Sequence, residues 1–418
     1  MTGRSDQSAK PSGPAPSRRS VLLGGAAGAV GAASLGAAGW LAVRDGLGVG
    51  DSAGGSLAAA SFGAQTVTFH GTHQPGIATP AQAHAAFIAL DLRKGQGVEP
   101  VRRWLQLLTS DAARLMSGRV PLASEDREIA ALPARLTVTV GFGPGLFDAI
   151  DRGDQCPDVI RALPAFATDR LRPEWSGGDL LLQVCSDEPQ SLAFASRWLV
   201  RDSREFATVR WSQRGFTRAK GTEPDAATPR NLFGQRDGTI NPRGAAELDT
   251  AVWSRSPDWL VGGSMLVLRR IAMDLEAWDD LGRPAREFAL ARRMSDGAPT
   301  SGGSEFDEPD LKRLDAQGLP VVDPSAHAVV AKAQNPAEVM LRRGYSYDDP
   351  PARDGSPNSG LIFAAYQADA ATAFVPVQRR LAEKDALNTW ITHIGSATFA
   401  VPPGCPEGGY LGQQLLEG

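Results

Sequence analysis

Cysteine is scarce in this chain: Cys156, Cys185 and Cys405 are the three among 418 residues. Three thiols allow at most one disulfide and exclude a four-cysteine metal site. Histidine is scarce too, with five in all, so any imidazole chemistry has a short list of candidates. An excess of charge of one sign is also missing. Lys and Arg number 43 against 47 Asp and Glu, a net charge of −4. That balance excludes the broad basic field of a nucleic-acid binder. With 42% apolar and 22% charged residues, the composition is neither that of a disordered chain nor of a coiled coil. What the chain has in quantity is glycine (46) and proline (30), which promise many turns and long loops. Its length suits two or three ordinary domains.

The first segment reads as an address. Residues 1–16 are polar, and Ser17-Arg18-Arg19-Ser20 then runs into Val21–Val43, which carries no charge. A charged start, a weakly apolar run and small residues make an export signal, and the arginine pair makes it the twin-arginine kind. Such an uncharged run is long enough to span a bilayer, which leaves an anchor as the alternative. Its Gly and Ala, however, contribute little transfer free energy. The reading is export through the twin-arginine machinery to an extracellular, periplasmic or envelope location. Without residues 1–53 the chain keeps 38 basic and 44 acidic residues, so the mature protein is mildly acidic.

Beyond that segment the element order suggests duplication. His84–Leu92 is an apolar run fit for a strand. Val101, Trp104, Leu105, Leu108, Ala112 and Leu115 recur at helical spacing. Leu136, Val138, Val140 and Phe142 alternate with Thr and Gly, as a half-buried strand should. Strands over 179–185 and 207–213 flank a helix over 189–200. The resulting order, strand-helix-strand-strand-helix-strand, is the ferredoxin-like pattern. The second half repeats it loosely, with strands at 264–270, 339–347, 361–367 and 397–401 and helices at 275–291 and 370–383. The fold class is therefore α+β, with a signal and linker over 1–53 and ferredoxin-like domains over 54–215 and 216–418.

Two long polar stretches, 214–258 and 294–335, interrupt the second repeat, and loops of that length are usually functional or disordered. The first holds Asn231-Leu232-Phe233-Gly234-Gln235-Arg236-Asp237-Gly238-Thr239-Ile240-Asn241-Pro242. On spacing alone these are two consecutive turns. The second holds His327 and leads into Leu341-Arg342-Arg343-Gly344-Tyr345-Ser346-Tyr347, which by itself reads equally as a solvated strand end.

Together these segments resemble the dye-decolorising peroxidase family. The resemblance rests on FGQRDGTINP, a following histidine and LRRGYSYDD, with the Gly71–Ile77 stretch GTHQPGI ahead of the first strand. TVTVGFGPGLF (137–147), GDLLLQVCSD (178–187), GGSMLVLRRIAMDLEAW (262–278) and FAVPPG (399–404) extend it over about residues 66–404. It implies a haem b peroxidase, one haem per chain, of the dimeric α+β barrel type with haem in the C-terminal domain. Such an enzyme reduces hydrogen peroxide through a ferryl intermediate and oxidises dyes, phenols or other one-electron donors. Homo-oligomers are common among such domains. The alternative within the resemblance is a deferrochelatase-like haem-binding protein of iron uptake.

Residue by residue, the resemblance makes His327 the proximal iron ligand, Asp237 the distal carboxylate and Arg342 the distal arginine, which also borders the cofactor. Gly238, Thr239 and Ile240 resemble backbone packed against haem. Asp369 resembles the carboxylate that accepts the proximal imidazole's N–H; its alternative is the first turn of a helix. Val329 stands where relatives often carry arginine, so a propionate contact by Lys332 or another basic residue stays unassigned. The chemistry agrees with these residue types. An axial imidazole is tuned by a hydrogen bond to its other nitrogen, a carboxylate can shuttle the peroxide proton, and a guanidinium supplies fixed positive charge.

The other histidines and aromatics have plainer readings. His70 and His73, three apart, suit a surface or structural role, with a metal pair as the alternative, and His84 and His393 suit a core or edge one. Phe363 and Phe374 either line the haem or simply pack. Tyr345, Tyr347, Tyr366, Trp390 and Tyr410 are candidates for carrying an oxidising equivalent outward. Arg269-Arg270 faces either a propionate or solvent.

Overall fold

A computed structural model of the protein describes residues 62–352 and 355–418; the predicted export segment lies outside them. The first half contains β1 (His84–Leu92), α1 (Val98–Met116), β2 (Thr137–Phe142), β3 (Leu180–Ser186), α2 (Pro189–Ser203) and β4 (Ala207–Phe216). Its strands run antiparallel in the order β2-β3-β1-β4, which is the ferredoxin-like order. The helical stripe read from the sequence is the face that α1 buries: Val101, Trp104, Leu105, Leu108, Ala112 and Leu115 are all in the core. Together α1 and α2 cover one face of this sheet with a continuous apolar layer.

The second half contains β5 (Ser264–Met273), α3 (Leu275–Asp279), α4 (Arg283–Leu290), α5 (His327–Val330), β6 (Leu341–Arg342), β7 (Tyr345–Asp349), β8 (Asn358–Gln367), α6 (Phe374–Lys384) and β9 (Ile391–Val401). The helix expected over 275–291 is two short ones. Gly282 caps the start of α4 and Pro284 lies in its first turn; a proline deep inside one continuous helix would remove a backbone donor and clash with the preceding turn. The strand expected over 339–347 is also interrupted. β6 and β7 share one register against β8, with Leu341 opposite Tyr366 and Tyr345 opposite Ile362. Arg343 still donates its N–H to Ala364, so Gly344 is the break. Strand order β9-β5-β8-β7 repeats that of the first half.

The two sheets close on each other. Phe142 pairs with Ala400 and Phe216 with Ser346, making a barrel whose inward side chains include Phe87, Leu181, Trp211, Leu266, Tyr345, Tyr366 and Phe399. Alternation along each strand, period two, sends the next residue to the outer face. The outer face of the second sheet is where the two halves differ. Its helices are short and broken, so they leave part of it uncovered by core.

A buried pair of carboxyl groups joins α1 to α2. Burial, followed by the neighbouring Asp111, pushes the Asp202 carboxyl up to about 7, and burial raises Asp111 as well. A carboxyl raised in the folded state binds more protons there than in the unfolded chain, so stability falls as pH climbs from the ordinary carboxylate range through about 7. Discounting for partial solvation, the loss is on the order of 1 kcal/mol. Thermal unfolding between pH 5 and pH 8 should show a falling Tm that is flattened in Asp202→Asn; equal slopes in both proteins would refute this.

Candidate active site

The uncovered outer face is the floor of a pocket of about 1120 Å³, including its mouth. Ile271, Leu361, Phe363 and Ile391 line it from the strands, and Phe374, Val377 and Leu381 from α6. Phe363 and Phe374 thus both border the pocket, and their rings lie 6.2 Å apart. The lining is mainly apolar, with its polar groups gathered at particular places.

His327 is one of them. It opens α5 after a long loop, and its Nδ1 lies 2.7 Å from Asp385 Oδ2. That contact assigns the Nδ1 proton to the shared bond and leaves Nε2 for the pocket. Burial disfavours the charged imidazole, but Asp385 more than offsets this and the net shift of His327 is upward. Asp385 is itself held in place. It is 5% exposed and its Oδ1 accepts the Leu387 N–H at 2.9 Å, capping the short turn after α6.

This corrects the expected partner. Asp369 is not beside His327: its carboxylate accepts the Ala371 N–H at 2.8 Å, capping its own turn after β8. Asp385 therefore takes the place that Asp369 was expected to fill. Such an outer carboxylate typically tunes its ligand by 10–100-fold in affinity or activity. If His327 holds the haem that the sequence implies, Asp385→Asn should lose activity within about that range and shift the visible spectrum; an unchanged spectrum would show that the contact is only structural.

Asp237 and Arg342 meet elsewhere on the pocket wall, Arg342 Nη1 lying 3.5 Å from Asp237 Oδ1. Both are about one-fifth exposed, at 21% and 19%. The loop bearing Asp237 is fastened to β6 by Asn241. Its side chain donates to Arg342 O at 2.7 Å and accepts the Arg342 N–H at 3.0 Å, imitating a missing strand partner. By sequence alone Asn241, before Pro242, reads only as a turn former. Asn231 approaches the other Asp237 oxygen, at 3.5 Å, and Gly238 turns the chain at a φ of +115°. Behind the pair opens a second, more polar cavity, and Asn231, Asp237, Arg342 and Leu361 border both spaces.

The remaining candidates separate. Ile240 lines the apolar pocket, whereas Gly238 borders the polar cavity and Thr239 donates to Glu305 Oε1 at 3.1 Å. Lys332 pairs with Glu308 at 2.6 Å. Neither Arg269 nor Arg270 faces solvent or the pocket lining: Arg269 binds Asp169, and Arg270 lies over the Tyr347 ring at 3.7 Å and the Trp175 ring at 4.2 Å. His73 stacks on Trp253 at 3.7 Å and contacts Gly262 O. His393 lines the pocket, and burial, followed by the Arg269 charge, lowers it to about 3, so it is neutral at ordinary pH.

Haem fits this arrangement. Among the described residues no group of three or more His, Cys, Asp and Glu is placed to hold a metal ion, yet one oriented imidazole faces an apolar space. A porphyrin needs that combination, because its ring supplies the other ligands and its faces are apolar. With a carboxylate and a guanidinium in contact on the same pocket wall, the class defined is a haem peroxidase.

Comparison with known proteins names the family. The Dyp-type peroxidase N-terminal model matches residues 74–217 and the Dyp-type peroxidase C-terminal model residues 228–406. The chain belongs to the Dyp-type peroxidase family. It is 42% identical to a dye-decolorizing peroxidase of Thermobifida fusca over 96% of this chain and 97% of the relative. A deferrochelatase of Yersinia pseudotuberculosis is 33% identical, over 84% and 85% of the two chains. Among solved structures, a DyP-type peroxidase from Cellulomonas bogoriensis superposes with a TM-score of 0.83 at 46% identity, covering 86% of this chain and 100% of that one. Ferric DtpA from Streptomyces lividans gives a TM-score of 0.81 at 43% identity, over 86% and 99%.

Proposed function

We propose that the protein reduces hydrogen peroxide at a haem held by His327 and oxidises dyes, phenols or other one-electron donors. The observation that carries this reading is the contact between Asp237 and Arg342 at the boundary of the apolar pocket and the polar cavity. Haem, when bound, supplies the iron redox chemistry that peroxide reduction requires. The protein's own residues manage position and protons. His327 Nε2 is free to ligate because Asp385 holds Nδ1. Asp237 takes the proton from one peroxide oxygen and returns it to the other, which leaves as water. Arg342 brings its guanidinium charge to the same place and stabilises negative charge as it develops on the peroxide. Phe363, Phe374 and Leu361 exclude water, which strengthens each of these interactions. The test is the absorption spectrum of the haem-loaded protein before and after stoichiometric peroxide; no change, with no oxidation of a phenol, would overturn the reading.

The deferrochelatase relatives support a second reading, release of iron from haem. Incubation with haem under reducing conditions would then yield a fluorescent iron-free porphyrin. The Asp237–Arg342 pair favours peroxide reduction, because a passive haem carrier needs neither group.

We further propose that residues 1–53 direct export by the twin-arginine route, so that the enzyme works outside the cytoplasm. Arg18-Arg19 followed by the uncharged Val21–Val43 supports it. Replacing both arginines by lysine should retain the protein in the cytoplasmic fraction; normal export of that variant would refute the assignment.

A further inference from the structure

Asp237 sits in a loop outside any helix or strand, yet a proton carrier has to be held within a fraction of an ångström of its productive place. Part of the hold is local: the Asp237 N–H donates to Pro229 O at 2.8 Å and the Asn241 N–H to Gly238 O at 3.0 Å. A further hold comes from the other long loop, through Glu305. One of its carboxylate oxygens accepts the Thr239 hydroxyl at 3.1 Å, and the other lies 3.7 Å from Arg236 Nε. Arg236 directly precedes Asp237 and Thr239 follows it by two positions, so one carboxylate bridges the chain across the aspartate. Glu305 and Arg236 are largely shielded, at 15% and 16% exposure, where salt screens an ion pair little.

The surroundings of Glu305 are built for this contact. Gly297 turns at a φ of +78°, and a Cβ there would meet Arg236 Cδ at 2.9 Å and Glu305 Cγ at 3.2 Å; glycine lets the backbone close over the pair. Arg292, buried, donates to Glu305 O at 2.6 Å, Gly297 O at 2.8 Å and Asp307 O at 3.3 Å, which fixes the backbone on both sides of residue 306. The Arg243 guanidinium lies over the Phe306 ring at 4.0 Å. Next to Arg292, Ala291 packs with Val322 and Ala326, at the end of the loop where His327 begins α5. Residues 291 and 292 thus anchor both the Glu305 turn and the approach to His327.

We infer that Glu305 is a positioning residue for peroxide reduction: by tying Arg236 to Thr239 it fixes the backbone that carries Asp237 at the pocket wall. Glu305 lines neither the apolar pocket nor the cavity behind Asp237, so it acts through the aspartate and not on peroxide. The inference rests on the proton-transfer role of Asp237 proposed above and names what holds that group in place.

The test uses the haem-loaded protein. Glu305→Ala should slow the single-turnover reaction with hydrogen peroxide by about 10–100-fold, the scale of a small misplacement of a reacting group. Glu305→Gln, which keeps an acceptor for Thr239 but loses the charge facing Arg236, should lose less, and Thr239→Val should slow the same step. Haem content and the resting visible spectrum should not change, since the His327–Asp385 contact is not altered. Two readouts separate positioning from general damage. In the Asp237→Asn background, Glu305→Ala should add almost nothing to the loss, because both changes act through one group. Hydrogen exchange should quicken over residues 231–242 and stay as it is in β1–β4. A full further loss in the Asp237→Asn background, unchanged exchange over 231–242, or an unaltered peroxide rate in Glu305→Ala would overturn the inference. If Asp237→Asn itself leaves the peroxide rate unaltered, the Asp237 reading fails, while exchange over 231–242 still decides whether Glu305 holds the loop.

Discussion

Asp237→Asn is expected to lower kcat/KM for hydrogen peroxide by about 10²–10⁴-fold, the range for losing a positioned proton carrier, while leaving the fold and haem content intact. The amide nearly matches the carboxylate in shape, so the Arg342 contact can persist and the change isolates proton transfer. Single-turnover mixing with peroxide is the decisive measurement, because steady-state rates can be limited by the donor. Arg342→Leu should cost about 10²–10³-fold, as removal of a preorganised charge-stabilising donor does. Asp237 and Arg342 touch, so the double variant should lose less than the product of the two single losses. Full multiplicativity would mean that the residues act separately, and unchanged single-turnover rates would remove both from the reaction.

His327→Ala is expected to exceed the 10–100-fold loss typical of an outer partner, because on the proposed reading it removes the ligand itself. Its pocket is otherwise apolar on that side, with Ala331, Val377 and Leu381 in the lining, and His393 is held elsewhere. His393 faces Gln378 at 3.4 Å and belongs to a strand paired rigidly to β5. The expected result is a visible spectrum lacking histidine ligation, weaker haem retention on gel filtration and little peroxide turnover. Exogenous imidazole should restore part of the spectrum, since the vacated space is the size of the lost ring. A variant with normal spectrum and normal haem retention would place the ligand elsewhere.

Legibility in the sequence followed the range of the interactions. β1 coincides with the strand read from HAAFIALDL, and α1 buries the stripe read from its spacing, because both patterns are local and the first sheet is covered by long helices. The second half blurred for local reasons as well: Pro284 splits one helix, and Gly344 interrupts one strand. The partner of His327 was out of reach for a different reason. Asp369 and Asp385 both stand at turns beside α6, and only the folded chain shows which one faces the histidine. Asp369 spends its carboxylate on Ala371, and Asp385 divides its oxygens between Leu387 and His327. Arg269 and Arg270 misled in the same way. A charged pair in a strand suggests solvent, but these guanidinium groups are buried against Asp169, Trp175 and Tyr347. Asn241 had a weak local signal, since Asn before Pro looks like a turn, and nothing nearby announces a clamp on residue 342.

The position of β9 sets an order on synthesis. It pairs with β5 along most of its length and reaches β2 through Ala400, so one of the seams that close the barrel waits for a strand made well after β2 and β5. Until Ile391–Val401 emerges, β2 and β5 each present an open edge to other chains. The pocket is unfinished over the same interval, because Ile391 and His393 belong to its wall. A nascent chain therefore has neither a finished barrel nor a finished cofactor seat until Ile391–Val401 has been made, and a chain cut short before residue 391 should aggregate rather than bind haem weakly.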